Sequence, residues 1–248
     1  MTPSAPSAPT PDSGSQRLGV EDVILLAVAS MAATRVSDTS NHTLRVQRYV
    51  KALAKQLRRV PQFEPELSDD VVNMLFRTAP FHDLGTIGIP DRILLKPSRF
   101  DPEEFEIMKA HTTLGRDAIE LAEKALGVSN DFLKMVKEVT YSHQERWDGS
   151  GYPQGLVGYD IPMSARLMAV ADVYDALISS RVYRDGMPHP DAFAIIVEGK
   201  GHLFDPDIVD AFVAVESKFQ DIARRFPDTD ADNVKKIDYL ATAIAENY

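Results

Sequence analysis

Seven ionisable side chains fall on helix faces that the apolar pattern assigns to the protein core: Asp38, His42, His82, Asp83, His111, His143 and Asp172. Asp38 and His42 are four residues apart, so they share one face of a helix, and His82 and Asp83 are adjacent. Imidazole and carboxylate groups in such positions are candidate ligands of a metal ion.

Each of these residues also has an ordinary interpretation. A single buried histidine is usually a hydrogen-bonded core residue, Asp38 could cap a helix, and Asp172 could pair with an arginine. Together, however, the seven groups would be costly to bury without compensation, and a shared metal ion is the commonest compensation. Nitrogen and oxygen ligands without sulfur suit Fe, Mn, Zn or similar divalent ions. A carboxylate between two such ions would make a two-metal hydrolytic centre.

The segments that carry these residues have the spacing of helices. One buried stripe contains Val46, Tyr49, Val50, Leu53 and Leu57. Asp101-Pro102 and Asp205-Pro206 each combine a capping acid with proline at the first helical position. Further helices are predicted near 131–143, 163–179 and 190–197. The sequence therefore predicts an all-α fold, a single compact domain of about seven to nine helices, with irregular loops at 84–97 and 148–162.

Composition narrows the class of protein. The 248 residues include 27 basic and 37 acidic side chains, and the net charge of −10 argues against non-specific binding to nucleic acid polymers. The chain has no cysteine, which excludes disulfides, thiolate metal sites and a cysteine nucleophile. The longest apolar run, Val23 to Met31, is too short to span a bilayer. We therefore expect a cytoplasmic protein that does not bind membranes.

Three regions are predicted along the chain. Residues 1–18 are rich in proline, serine and threonine and are expected to form a disordered tail. Residues 19–220 form the helical domain. Residues 221–248 form a C-terminal helical extension, with a helix predicted near 234–244.

Several motifs together resemble one known family. His42, His82-Asp83 and Asp172 resemble the H…HD…D signature of the HD-domain metal-dependent phosphohydrolases. The sequence HQERWDGSGYPQG at 143–155 is similar to the signature of the HD-GYP subgroup. Further matches are HDLGTIGIPD at 82–91, HTTLG at 111–115, VADVYDAL at 170–177 and FDPDIVDAF at 204–212. The resemblance extends over roughly residues 20–220.

The resemblance implies an HD-type helical domain that hydrolyses cyclic di-GMP to linear pGpG or on to GMP with divalent metal ions. It implies a core metal site formed by His42, His82, Asp83 and Asp172. Asp83, the expected catalytic carboxylate, would bridge to a second ion held with His111 and His143. Two ions are expected, Fe or Mn first, with Mg, Zn or Ni as the alternatives. The substrate-binding residues would be Arg181, Arg184 and Tyr152.

Four positions depart from the family pattern. Thr86 replaces the usual lysine, Gln144 replaces a histidine, and Leu203 replaces a histidine that is displaced to His202. Asp38 replaces a glutamate and is one methylene shorter, which favours two ions over three. The loss of a charge-stabilising group costs about 10²–10³ in rate, so slow turnover is expected.

These departures leave other functions open. The first alternative is a weak or inactive module that acts as a cyclic di-GMP receptor or as a protein-interaction domain, with the loop at 151–153 as a surface for a signalling partner. The second is hydrolysis of a different phosphoester.

Overall fold

The computed structural model describes residues 27–32, 40–96, 98–179 and 186–228. The described chain is helical, and its short 3₁₀ segments are Ala79–Phe81, Leu84–Gly88 and Gly158–Asp160. The α-helical segments are α1 (27–32), α2 (Ser40–Leu57), α3 (Asp69–Thr78), α4 (Asp91–Leu94), α5 (Pro102–Leu126), α6 (Asp131–Ser142), α7 (Met163–Ile178), α8 (His189–Glu198), α9 (Pro206–Ala214) and α10 (Glu216–Arg225).

The predicted start of the longest helix, α5, is confirmed by its capping contacts. The Asp101 side chain accepts a hydrogen bond from the Glu104 N–H at 2.9 Å. The Glu104 side chain accepts one from the Asp101 N–H at 2.8 Å. This reciprocal capping box satisfies two backbone donors that the first turn leaves unpaired. The helix ends at Gly127, which adopts the left-handed conformation at φ 64°.

The main core lies where α2 and α7 pack together and against α9 and α10. Its largest side chains are aromatic: the Tyr49 ring stacks on Phe219 at 4.3 Å between centroids, and Tyr174 meets both rings edge-on. A smaller cluster joins Ala29 of α1 to Phe81 and to Val136 of α6. Because α2 and α7 are anchored in the main core, their polar residues are held in fixed positions.

A close contact between backbones positions the segment that follows His82-Asp83. Gly85, in the 3₁₀ segment, lies against the main chain of α5, and a Cβ at this position would overlap the His111 carbonyl oxygen. Gly115, one turn further along α5, forms the other side of the contact. Only glycine at 85 permits this approach, which brings Asp83 within reach of α5.

The predicted all-α class and single HD-type domain are confirmed, and no β-strand forms among the described residues. The helices predicted from residues 101, 131, 163, 190 and 205 are all present. Within the described ranges, no helix combines the length and apolar character that a bilayer crossing requires. The predicted tail at 1–18 and the predicted helix near 234–244 lie outside the described residues.

Candidate metal centre

Two groups of imidazole and carboxylate side chains converge in the centre of the domain. The first group combines His42 of α2, His82 and Asp172 of α7, and the second combines Asp83, His111 of α5 and His143 at the end of α6. Within each group, one ligand atom from each residue lies within 4.8 Å of the others. The structure thus brings together six of the seven predicted metal ligands. Asp38, the seventh, lies outside the described residues.

Asp83 lies between the two groups. Its Oδ2 is 3.5 Å from His82 Nε2. Its Oδ1 is 3.5 Å from His111 Nε2 and 3.4 Å from His143 Nε2. The two oxygens of one carboxylate therefore face different groups, which is the arrangement that a bridging ligand requires.

The tautomer of each imidazole is set by a hydrogen bond at Nδ1. His82 donates from Nδ1 to the Ala79 carbonyl at 3.0 Å, and His111 donates to the Met108 carbonyl at 2.7 Å. His143 donates to the Val139 carbonyl at 3.0 Å. Since a carbonyl accepts only from a protonated Nδ1, each neutral ring presents its lone pair at Nε2. Metal-binding histidines in proteins are oriented by hydrogen bonds of this kind.

His42 is oriented by a carboxylate from another helix. Its Nδ1 donates to Asp175 Oδ2 of α7 at 2.8 Å. Burial would raise the pKa of Asp175, but the hydrogen bonds from Arg45 and His42 outweigh it and lower the pKa. Asp175 is therefore ionised and accepts the Nδ1 proton of His42.

These contacts test whether a metal ion fits the site. Two ligand atoms that each lie about 2.1 Å from one ion are about 3.0–3.4 Å apart. The Nε2 atoms of His111 and His143 are 3.4 Å apart, and because each Nδ1 donates to a carbonyl, two lone pairs face each other when both rings are neutral. The buried Nε2 of His82 has no hydrogen-bond partner among the described residues. Both features fit divalent ions held at Nε2.

Electrostatics favour cation binding at Asp83. Burial would raise the pKa of this carboxyl, but the positive charge that the three surrounding imidazoles carry when protonated outweighs it and holds the pKa well below its usual range, so Asp83 is ionised. Burial lowers the pKa of His111, which favours its neutral, ligating form, whereas the hydrogen bond and charge of Asp83 outweigh burial and raise the pKa of His143. The histidines are nearly inaccessible, whereas Asp83 and Asp172 keep 22% and 21% of their side chains exposed. The carboxylates therefore face the open side of the site.

The loop that follows His143 lies over the second group. The Glu145 side chain is buried and accepts hydrogen bonds from the backbone N–H groups of Gln154 at 2.8 Å and Leu156 at 3.1 Å. The Tyr152 ring lies 6.3 Å from the His111 ring, centroid to centroid. Burial raises the pKa of the Tyr152 hydroxyl, and the nearby carboxylates of the site raise it further.

Three of the positions that depart from the family pattern have structural roles. The Thr86 side chain is buried, and its hydroxyl donates to the Asp83 carbonyl at 2.7 Å. The Gln144 carbonyl accepts from the Tyr152 N–H at 3.2 Å. Leu203 packs against the main core, and its carbonyl accepts from the Trp147 N–H at 3.2 Å. Thr86 thus fixes the backbone of Asp83 and does not carry a charge into the site.

The structure adds residues that sequence reasoning missed. Asp175 orients His42. In the sequence, the feature that could have indicated this role is its position in VADVYDAL, three residues after Asp172. The ammonium group of Lys109 lies 5.5 Å from the centre of the Phe105 ring and 5.9 Å from that of Tyr152. In the sequence, the feature that could have indicated Lys109 is its position two residues before His111. The predicted substrate-binding residues Arg181 and Arg184 lie outside the described residues.

Residues 27–208 match the protein family described as "HD domain". The chain belongs to the HD-domain family. Membership implies that the domain binds divalent metal ions, in agreement with the two groups of ligands. The predicted family is confirmed.

Curated relatives extend the comparison. A "Probable cyclic di-GMP phosphodiesterase" of Vibrio cholerae is 50% identical over 212 residues, which are 86% of this chain and 48% of that protein. A "Cyclic di-GMP phosphodiesterase" of Thermotoga maritima is 38% identical over 210 residues, 85% of this chain and 53% of that protein. These relatives agree with the HD-GYP resemblance. The chain spans about half the length of the curated relatives it matches.

A solved structure shares the fold. The crystal structure of a cyclic GMP-AMP specific phosphodiesterase from V. cholerae superposes with a TM-score of 0.55 at 17% sequence identity. The match covers 90% of this chain and 60% of that chain. The similarity supports an HD-type arrangement of helices.

Proposed function

We propose that the chain is a metal-dependent phosphodiesterase that hydrolyses cyclic di-GMP to linear pGpG, to GMP or to both. The observation that carries the proposal is the position of Asp83, whose Oδ2 lies 3.5 Å from His82 Nε2 and whose Oδ1 lies 3.4–3.5 Å from the Nε2 atoms of His111 and His143. The names of the relatives support the choice of substrate. The proposed setting is the cytoplasm.

The proposed ligands divide between two ions. His42, His82 and Asp172 would hold the first, His111 and His143 would hold the second, and both ions would share Asp83. Asp38 is a proposed additional ligand of the first group. The resemblance to the HD-GYP subgroup favours Fe or Mn, and mixed imidazole and carboxylate ligands are compatible with both. Divalent ions held there would polarise the phosphoryl oxygens and lower the pKa of a coordinated water.

The residues of the chain bind and orient the substrate. Hydrolysis forms a bond from the water oxygen to phosphorus and breaks the P–O3′ bond, and the 3′ oxygen takes up a proton. Arg181 and Arg184 are proposed to bind the phosphates, and Tyr152 is proposed to line the guanine pocket. We also propose Lys109 as a phosphate-binding residue. Its ammonium group lies beside Tyr152 and would supply a positive charge, which Thr86, at the position of the family lysine, does not.

The test is hydrolysis by the purified chain. Protein loaded anaerobically with Fe²⁺ or Mn²⁺ is incubated with cyclic di-GMP, and the products are separated by chromatography. We expect pGpG and GMP, and no product after the metal has been removed with a chelator. No product above the metal-stripped control, with any of several metals, would exclude the phosphodiesterase. A parallel incubation with 3′3′-cGAMP compares the two cyclic dinucleotides.

The buried position of Thr86 favours one alternative, a receptor that binds cyclic di-GMP without turnover. In that case the loop at 151–153 is proposed to contact a signalling partner. Calorimetry that detects nucleotide binding in a metal-loaded sample without product would support the receptor. Turnover that is lost in Asp83→Ala would exclude it.

A further inference from the structure

Arg45 is a buried arginine whose five N–H groups are all used in hydrogen bonds. Its side chain is 3% exposed and lies on α2, one turn after His42. Its Nε and Nη2 form a fork on Asp175, at 2.6 Å to Oδ1 and 2.8 Å to Oδ2. A second bond from Nη2 reaches the Ser179 hydroxyl at 2.8 Å.

The remaining donors of Arg45 reach the end of α10. Its Nη1 donates to the Phe226 carbonyl at 2.8 Å and to Asp228 Oδ1 at 3.0 Å. The hydrogen bonds therefore form a continuous series from residues 226–228 through Arg45 and Asp175 to His42. Among the histidines of the two ligand groups, His42 donates from Nδ1 to a side chain of another helix, whereas His82, His111 and His143 donate to carbonyls of their own segments.

We propose that Arg45 is a positioning residue for His42 and that the segment 226–228 holds Arg45 in place, which links the end of α10 to the metal centre. The inference rests on the proposed metal site. The planar fork fixes the plane of the Asp175 carboxylate, and the carboxylate then fixes the ring plane and tautomer of His42. The segment 226–228 acts on the metal centre without contacting it.

Two substitutions separate this role from general packing. Arg45→Gln removes the fork on Asp175 and the contacts to residues 226–228. Arg48→Gln is the matched control, because Arg48 lies on the same helix and packs on the same Phe226 at 4.2 Å. Its Nη1 donates to the Leu44 carbonyl at 2.6 Å, away from Asp175.

The first measurement reads the His42 ring without metal. Long-range ¹H–¹⁵N spectra of the full chain, with His42 assigned by its loss in His42→Gln, report which ring nitrogen carries the proton. We expect a single Nδ1–H tautomer in the wild type and in Arg48→Gln, and loss of that single tautomer in Arg45→Gln. An unchanged His42 signal in Arg45→Gln would overturn the proposal.

The second measurement is the affinity for Mn²⁺ by calorimetry. We expect Arg45→Gln to bind Mn²⁺ about 10–100-fold more weakly, the usual cost of losing a group that orients a ligand. Arg48→Gln is expected to stay within about twofold of the wild type, a change too small to reflect lost ligand orientation. If Mn²⁺ affinity falls equally in both variants, the loss reflects packing of α2 in general, and the proposal is contradicted. A wild type that binds no Mn²⁺ would refute the metal site, whereas the spectra would still test the link to His42.

A milder variant decides the outcome if Arg45→Gln does not fold. Asp228→Ala removes one acceptor of Arg45 and leaves the fork on Asp175 in place. We expect the same direction of change in both measurements, with a smaller loss of Mn²⁺ affinity. If Asp228→Ala gives the spectra and the Mn²⁺ affinity of the wild type, the segment 226–228 does not contribute to the position of His42.

Discussion

At the scale of single residues, the tautomers of the imidazoles decide what the site can bind. A protonated Nδ1 on His82, His111 and His143 leaves three Nε2 lone pairs directed toward one carboxylate, Asp83. Four groups that accept protons or cations thus share one small space. Two divalent cations that share Asp83 would resolve this concentration of lone pairs, one at His82 and one at His111 and His143.

Replacing Asp83 with asparagine tests whether its carboxylate is a metal ligand. The amide keeps the size of the side chain but removes the charge and one acceptor oxygen. We expect Asp83→Asn to fold and to bind Mn²⁺ more than about 100-fold more weakly, since loss of a ligand exceeds the cost of losing an orienting group. Calorimetric titration with Mn²⁺ measures the change.

The matched control is Asp70→Asn, an exposed carboxylate in the first turn of α3. It is expected to bind Mn²⁺ as the wild type does. Similar affinities in the two variants would remove Asp83 from the centre of the site.

At the scale of elements, the approach of the 3₁₀ segment Leu84–Gly88 to α5 sets the distance between Asp83 and His111. We expect Gly85→Ala to lower the free energy of unfolding by about 1–3 kcal/mol, because the new methyl group meets the His111 carbonyl and the main chain has to move. Binding of Mn²⁺ is expected to weaken as well. Denaturant titration and calorimetry measure the two effects.

Gly88→Ala provides the comparison within the same segment. A Cβ there would meet the end of the Leu114 side chain, at 2.9 Å, and that side chain can move. We expect a loss below about 1 kcal/mol, within the range of tolerated changes of core volume. If Gly88→Ala destabilises the protein as much as Gly85→Ala, the backbone contact is not what positions Asp83.

The loop at 149–156 is anchored by the Glu145 side chain, which accepts hydrogen bonds from two of its backbone N–H groups. In Glu145→Gln, one of the two acceptor oxygens becomes an N–H donor that faces a backbone N–H. This costs about 1–3 kcal/mol of unfolding free energy. Because the loop carries Tyr152, we expect KM for cyclic di-GMP to rise more than kcat falls.

Steady-state kinetics separate the two parameters, and the exposed Glu198→Gln serves as the control. A fall in kcat at constant KM would show that Glu145 does not act through the substrate loop.

At the scale of the whole molecule, metal binding is expected to be part of folding stability. A ligand at about 100 times its Kd stabilises a protein by about 2.7 kcal/mol. For a domain of this size, the melting temperature then rises by roughly 5–10 °C. We expect Mn²⁺ to produce this shift in calorimetry or fluorimetry, and EDTA to reverse it.

Calcium provides the control, because it prefers sites made of oxygen ligands alone. An equal shift with Ca²⁺ would indicate general ionic stabilisation and would contradict a site built on imidazoles.

Sequence reasoning succeeded where the signal is local. The Asp101-Pro102 and Asp205-Pro206 pairs marked the starts of α5 and α9, because capping depends on residues within one turn. The apolar spacing around His111 and His143 placed both rings inside, and the structure brings them together.

The contacts between distant elements could not be predicted in this way. Arg45 and Asp175 are 130 residues apart, and each alone resembles an ordinary charged helix residue. Gly85 and Gly115 meet through their backbones, and no periodicity in the sequence indicates such a contact. Long-range pairs of this kind depend on the packing of whole helices, which a single sequence does not reveal.

Three of the four imidazoles are hydrogen-bonded to carbonyls of their own helical segments, so each ring is a rigid part of the segment that carries it. Sliding α5 by half an ångström along α6 would therefore change the spacing between His111 and His143 by a similar amount. A change that shifts α5 relative to α6 would therefore alter the pair of Nε2 atoms that faces Asp83, although each ring keeps its own hydrogen bond.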